Sequence, residues 1–366
     1  MNTDILIIGG GVIGLAIARL CARRGLGEVT LIERGRIGME ASHAAGGMLA
    51  VQAETEHGGG FLDFCTHSRN LYPELAESLR EETGIDIQLE QSGTLFLSFS
   101  EDDVRKLTER YAWQTHNGLN VSLLSAAELL SREPRINPTV KGALFFPQDW
   151  QVENRRLIEA LEASAVASGV KIIEGCEVES LIFENSAVTG AMTDSGRCFA
   201  KSVVLAAGSW SSMIPGFEMQ SQIMPVKGEM IVYTPTTKLT DKVIYSERGY
   251  AIPRIDGRLL VGATSELVGF DKSTTDAAHA ILKATAIEMF PCLENESIVD
   301  RWAGLRPFAG RPEPIITAVD GFGGLIVASG HYRNGVLLAP ATAELVVDLI
   351  AFRENRFSNF FGTKVH

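Results

Sequence analysis

Residues 4–33 constrain the fold more than any other part of this chain. Asp4-Ile5-Leu6-Ile7-Ile8 is an apolar run of strand length that ends in Gly9-Gly10-Gly11-Val12-Ile13-Gly14. The glycines at 9, 11 and 14 fit G-x-G-x-x-G: Gly9 permits a tight turn, Gly11 lets the backbone approach a pyrophosphate, and Gly14 allows close packing of helix on strand. Val12 to Arg23 reads as the following helix, with Val12 and Ile13 at the positive end of its dipole, facing phosphates. A second apolar run from Val29 ends at Glu33, 19 residues after Gly14. An acid there meets the ribose hydroxyls of an adenosine and repels a 2′-phosphate, which argues against NADP.

At 366 residues the chain exceeds the usual range of one core, so two domains are expected. A net charge of −12 with no block of like charge argues against nucleic acid or an anionic membrane as partner. No apolar run reaches the roughly 18 residues that span a bilayer, and the N-terminal stretch lacks the basic flank of a secretion signal. The five cysteines (Cys21, Cys65, Cys176, Cys198, Cys292) are odd in number and never in C-x-x-C spacing. Free thiols in a reducing cytoplasm are the expectation. The histidines show no metal-ligand spacing, so no metal is expected.

The remaining pattern predicts a helix over Phe64–Thr83, a strand over 94–99 and capped helix starts at Ser100 and Ser125. Asn154 to Ser168 reads as a long helix, and Ser202 to Leu205 as a strand opening into Ala206-Ala207-Gly208. Small residues and Gly208 at that edge are what a parallel sheet presents to a ligand. From Ile223 the text changes to alternating strands, at 229–233, 243–246, 249–253 and 258–261, with Asp256-Gly257 as a hairpin signal. A buried strand returns at Gly324–Gly330, and Pro340 to Arg353 reads as a closing helix. The expected fold is α/β plus α+β. A discontinuous Rossmann-like nucleotide-binding domain (1–84, 150–218, 302–366) carries an inserted, mostly antiparallel β domain (85–149, 219–301).

Further motifs add to the fingerprint: Ser42-His43-Ala44-Ala45-Gly46-Gly47-Met48-Leu49, Pro225-Val226-Lys227-Gly228-Glu229, Tyr250-Ala251-Ile252-Pro253-Arg254 and Val261-Gly262-Ala263-Thr264. Trp302 to Pro307 and His331 to Pro340 complete the set. Together they resemble the D-amino acid oxidase family of flavoenzymes, in particular its glycine-oxidising branch tied to thiamine biosynthesis. The resemblance implies FAD as cofactor, with Ala41, Ser42, Gly46, Gly47 and Met48 wrapping the flavin. Val178 matches a position whose backbone meets the adenine, and Arg34 beside Glu33 joins the cofactor set. The turn His331-Tyr332-Arg333-Asn334-Gly335-Val336-Leu337 matches one facing the flavin pyrimidine, where fixed N–H groups stabilise the charge of the reduced ring.

By the same resemblance Arg306 anchors a substrate carboxylate through two parallel hydrogen bonds. Tyr250, Tyr245 and Arg333 are implied as further catalytic and substrate-side residues, and Ala50 as a pocket residue where a glycine would leave more room. Read without the resemblance, either arginine is also what an acid-paired interface residue looks like, and strand tyrosines are commonly packing. Some relatives carry covalent flavin on a His-Ala-Ala-Gly stretch, which makes His43 the candidate for a covalent link; non-covalent FAD is the expectation. Arg248 stands where related chains carry histidine, and Phe308 to Ile315 lacks the Asp-Gly-x-Pro of relatives.

The implied reaction is oxidative deamination of glycine and other small amines, such as sarcosine and D-alanine, by hydride transfer to flavin N5. It yields a 2-oxo acid such as glyoxylate, ammonia or an amine, and hydrogen peroxide from molecular oxygen. A homo-oligomer in the cytoplasm is expected. The sequence leaves three alternatives open: a D-amino acid or proline dehydrogenase feeding a quinone or partner subunit, a non-catalytic flavoprotein subunit of an oxidase complex, and an NAD-dependent dehydrogenase.

Overall fold

A computed structural model describes residues 1–216 and 222–361. Its first strands are β1 (Asn2–Ile8), β2 (Val29–Ile32), β3 (Met48–Leu49), β4 (Thr94–Ser98), β5 (Ser122–Ser125) and β6 (Gly142–Phe146). There follow β7 (Trp150–Gln151), β8 (Lys171–Ile173), β9 (Val178–Glu184), β10 (Ala187–Thr193), β11 (Gly196–Leu205) and β12 (Met224–Tyr233). The last six are β13 (Val243–Ser246), β14 (Gly249–Pro253), β15 (Leu259–Gly262), β16 (Ile298–Phe308), β17 (Ile315–Ala318) and β18 (Leu325–Ser329).

One sheet runs β17-β18-β11-β1-β2-β8, with the β9–β10 hairpin added beside β11. Its central pairs, β18–β11, β11–β1, β1–β2 and β2–β8, are parallel. Parallel strands are covered on both faces, which is why Ile5 to Ile8 and Val29 to Ile32 read as unbroken apolar runs; all eight residues are buried. The helix Val12–Arg23 packs against β1 at Gly14, where an added Cβ would lie 1.9 Å from the Gly9 carbonyl oxygen. The close packing expected of the third glycine is therefore present.

The second sheet runs β16-β12-β15-β14-β13-β4-β6-β5 and is antiparallel except for the β13–β4 pair. Strand alternation gives it two faces. Leu95, Leu97, Ile231 and Ile244 pack beneath the helix Asp276–Met289, while Phe96, Met230, Tyr245 and Tyr250 face Met48, Ala50 and Ala53 of the other layer. The expected junction at 301/302 falls inside β16, which pairs with β12 along its length, so Trp302 to Phe308 belong to this sheet. The junction at 218/219 lies outside the described residues.

Two helices differ from the sequence reading. The span Phe64–Thr83 is two helices, Gly60–Asn70 and Tyr72–Thr83, because Pro73 sits in the first turn of the second and cannot donate backward. The closing helix starts at Gly335, not at Pro340, and runs to Ile350 with the proline inside it. Pro340 has no N–H for the Val336 carbonyl, and the Tyr72 hydroxyl donates to that carbonyl instead. Ser68 Oγ donates to the Leu337 carbonyl at 2.7 Å and accepts from Ala341 N at 3.2 Å, so a serine bridges the opened turn. Capping boxes at Ser100/Asp103 and Ser125/Glu128 form as read. All five cysteines are free, and Cys292 alone is exposed. Among the described residues no helix is long and apolar enough to cross a membrane.

Candidate active site

The carboxyl ends of β1, β2, β11 and β18 open onto a cavity of about 490 Å³. This edge is where a sheet of this kind takes its ligand. Gly9, Gly11, Val12 and Ile13 form part of its wall, with Glu33, Arg34 and Val178 also lining it. Gly9 has φ +111°, and a Cβ there would lie 2.4 Å from the Ala206 carbonyl oxygen, so only glycine fits. The helix Val12–Arg23 has no side-chain cap from Gly11; Ser42 Oγ accepts from Val12 N at 2.9 Å. Glu33 is fixed by two backbone amides, accepting from Gly10 N at 2.8 Å and Gly35 N at 2.9 Å. Arg34 lies over the Trp210 ring, 3.8 Å from its centroid, and both line the cavity. Gly208, at φ +54°, has open space where a Cβ would point.

The segment Ala41 to Met48 is shaped from both layers. Buried Arg254 donates to the Gly46 carbonyl at 2.8 Å, and Asn154 Nδ2 donates to the Ser42 and His43 carbonyls at 2.7 and 3.1 Å. Gly47, at φ +70°, passes so close to Val152 that a Cβ would meet its carbonyl oxygen at 2.1 Å. Ala41, Ser42, Gly46, Gly47 and Met48 all line the cavity; the His43 side chain does not. It faces Arg155 and Glu153 instead, and burial with the nearby Arg155 charge lowers its pKa. The turn after β18 hooks onto the end of β16, with Tyr332 N donating to the Pro307 carbonyl at 2.8 Å. His331, Tyr332, Arg333, Gly335 and Val336 line the cavity, whereas Asn334 stands at the residue before the helix Gly335–Ile350 without a capping side-chain bond and Leu337 is buried behind it.

At its far end the cavity meets one row across the second sheet, Trp302, Met230, Gly262, Tyr250, Tyr245 and Phe96, in register on β16, β12, β15, β14, β13 and β4, of which Met230 and Tyr250 line it. Gly262 leaves the gap through which Met230 and Tyr250 meet, with Tyr250 Oη 3.5 Å from Met230 Sδ. Beside this row Arg306 lies across Gly228, donating from Nη1 to the Thr264 carbonyl at 3.1 Å. Among the described residues it has no ion-pair partner, so its cationic face is left to the cavity.

Arg333 is different. Glu54 accepts from its Nε at 2.7 Å and its Nη2 at 3.0 Å, and also takes the Tyr245 hydroxyl. Burial raises the Glu54 pKa, but Arg333, the Tyr245 hydroxyl and the Arg306 charge outweigh it and hold the carboxyl below its ordinary value. Glu54 in turn pushes Arg333 up, and burial pushes the Tyr245 hydroxyl up. Tyr250, Arg306 and Arg333 line the cavity; Tyr245 and Ala50 lie behind its wall. Arg248 is on the surface, paired with Glu288.

The FAD dependent oxidoreductase family model matches residues 4–349. The chain belongs to that family. Glycine oxidase of Pseudomonas putida is 34% identical over 97% of this chain and 96% of its own length. The crystal structure of glycine oxidase from Geobacillus kaustophilus superposes with a TM-score of 0.94 at 34% identity, covering 100% of this chain and 99% of that one. A bifunctional protein ThiO/ThiG of Synechocystis is 38% identical over 95% of this chain, which spans 52% of that relative. This protein is thus an FAD-dependent oxidoreductase of the glycine oxidase kind.

The residues present fit that cofactor. The helix start, with Ser42 Oγ on its first amide, and the tightly packed glycines Gly9 and Gly14 suit a pyrophosphate, and Glu33 and Val178 would take the adenosine. The sequence reading missed Glu54, Met230, Trp210 and Gly228. Gly228 stood inside a quoted motif, but its role depends on a guanidinium 78 positions away (306 − 228).

Two expectations follow for this family member. A Cβ on Gly228 would lie 2.2–2.4 Å from the Arg306 guanidinium, which is flexible and can yield. Gly228→Ala should therefore fold and hold flavin normally while displacing the anchor, raising KM about tenfold; unchanged KM would place Arg306 elsewhere during binding. His331 is buried, its Nε2 3.0 Å from Thr342 Oγ1, and burial lowers its pKa to about 3. From pH 6.5 downward the unfolded chain gains a proton that the folded chain refuses, so stability is lost as pH falls from 6.5 toward 3. The slope is at most about 1.4 kcal/mol per pH unit. Urea midpoints between pH 6.5 and 5 should fall less steeply in His331→Gln than in the wild type.

Proposed function

We propose that this protein oxidises glycine and other small amines, including sarcosine and D-alanine, with molecular oxygen as acceptor. The products are a 2-oxo acid such as glyoxylate, ammonia or an amine, and hydrogen peroxide. The observation that carries this reading is Arg306, a cation without an acid partner among the described residues, set beside Tyr250 and Met230 in the cavity that fits FAD. Its guanidinium takes the substrate carboxylate in two parallel bonds and so fixes the α-carbon. Tyr250 and Met230 bound the space for the side chain, and the Glu54–Arg333 pair presents a wall with little net charge. Bound FAD supplies the hydride acceptor. Positioning and electrostatics supply the rate, since the Tyr245 hydroxyl stays protonated and Glu54 is engaged by Arg333. The names of the ThiO/ThiG relatives support a role in thiamine (thiazole) biosynthesis.

Peroxide release from the purified yellow protein tests this against glycine, sarcosine, D-alanine, D-proline and D-phenylalanine. Glycine, sarcosine and D-alanine should lead. Faster turnover of D-phenylalanine would overturn the substrate class, and flavin bleaching by glycine under nitrogen without peroxide in air would move the acceptor from oxygen to a quinone or partner.

A further inference from the structure

The half-buried carboxylate of Glu54 is carried on a helix of only four residues, Val51–Glu54, too short to hold its own shape in solution. Both of its ends are tied by side chains from the second layer. Asp149, fully buried in the turn between β6 and β7, accepts from Gln52 N at 2.9 and 3.0 Å and from Ala53 N at 2.8 Å. At the other end Arg110, on the helix Glu101–His116, donates from Nη1 to the carbonyls of Gln52, Ala53 and Thr55 at 2.9, 3.2 and 2.9 Å. Gln114 from the same helix adds a bond from Nε2 to the Gln52 carbonyl at 2.8 Å. A carboxyl at the amino end, whose pKa burial raises to about 7, and the Arg110 cation at the carbonyl end are also placed to suit the dipole of the turn.

We propose that Asp149 and Arg110 are positioning residues for substrate binding: by clamping the Val51–Glu54 turn they set the Glu54 carboxylate, and through it the Arg333 guanidinium and Tyr245 hydroxyl. Neither touches the cavity, and nothing in a pattern of catalytic residues would single them out. What makes the clamp functional is its reach. Glu54 lines the cavity and accepts bidentately from Arg333, 279 positions along the chain, so a loosened turn releases a second cation beside Arg306. The substrate end then has two competing anchors for one carboxylate, and the bound pose is no longer unique. The inference rests on the reading of Arg306 as carboxylate anchor, and its test is chosen to fail separately from turnover.

The readout is the dissociation constant of glycolate, a carboxylate that mimics a small amino acid, followed by the absorbance of the bound flavin in the holoenzyme. Asp149→Asn should shift it about tenfold with flavin content unchanged, and KM for glycine should move in the same direction while kcat changes less. In a Glu54→Gln background the same substitution should shift it by less than about twofold, because its route to the site has been removed. Arg110→Gln, at the opposite end of the turn, should repeat the pattern, and it carries the test if Asp149→Asn does not fold. Equal shifts with and without Glu54, or a lowered thermal midpoint with unshifted constants in both variants, would overturn the inference. Wild-type protein that failed to bind glycolate would instead sink the reading of Arg306.

Discussion

Arg306→Ala should lower kcat/KM for glycine by about 30-fold to several thousand-fold, the equivalent of roughly 2–5 kcal/mol. The argument is one of geometry and charge. Arg306 spends one N–H on the Thr264 carbonyl and has no acid partner among the described residues, so the rest of its guanidinium is free for a carboxylate. Arg333 cannot replace it while Glu54 holds both faces of its fork at 2.7 and 3.0 Å. Flavin should stay bound, because the residues proposed for the pyrophosphate and adenosine, Gly9, Gly11, Glu33 and Val178, do not include Arg306. Stopped-flow reduction of the flavin by glycine checks this directly; near-normal kcat/KM in the variant would refute the assignment.

The second large effect belongs to Gly14. A methyl group there would sit 1.9 Å from the Gly9 carbonyl oxygen, a backbone atom that cannot turn aside. Gly14→Ala must push the helix Val12–Arg23 away from β1, and with it the amides at the helix start. Overpacking of this kind costs roughly 1–3 kcal/mol or more, which corresponds to about 5–150-fold in affinity if it falls wholly on the cofactor. The variant should purify largely without flavin and bind added FAD weakly in a fluorescence-quenching titration. Full occupancy on purification would show that the helix has slack.

Much of the nucleotide layer was legible because its signals are local. Gly9 to Gly14, the apolar runs of β1 and β2, and Glu33 lie within about thirty residues, and each has a single mechanical reading. The substrate end was legible only in part. Arg306 and Tyr250 stood in recognisable text, but Glu54 is one acid in Val-Gln-Ala-Glu-Thr with no periodic pattern, and its meaning comes from Arg333 and Tyr245, far along the chain. Tyr245 and Ala50 were expected at the pocket wall and lie one layer behind it; alternation along a strand places a side chain on a face without saying what covers that face. The break at Leu71 had a local cause in Pro73. The helix running through Pro340 had none, since its missing hydrogen bond is replaced by Tyr72 and Ser68 from more than 260 residues away.

That replacement bears on the order in which the protein can mature. The helix that follows the His331–Asn334 turn is fastened by Ser68 and Tyr72, and β18 slots in beside β11, so the C-terminal quarter of the chain docks onto parts made long before it. The cavity wall likewise draws on residues 8–54, 176–215, 228–250 and 304–336. A nascent chain that has emerged as far as β12 holds the whole phosphate fingerprint yet lacks Arg306, His331 and one side of the chamber. The chamber is therefore complete only at the end of synthesis, and a ribosome-bound chain stalled before β18 should capture AMP more readily than it captures FAD.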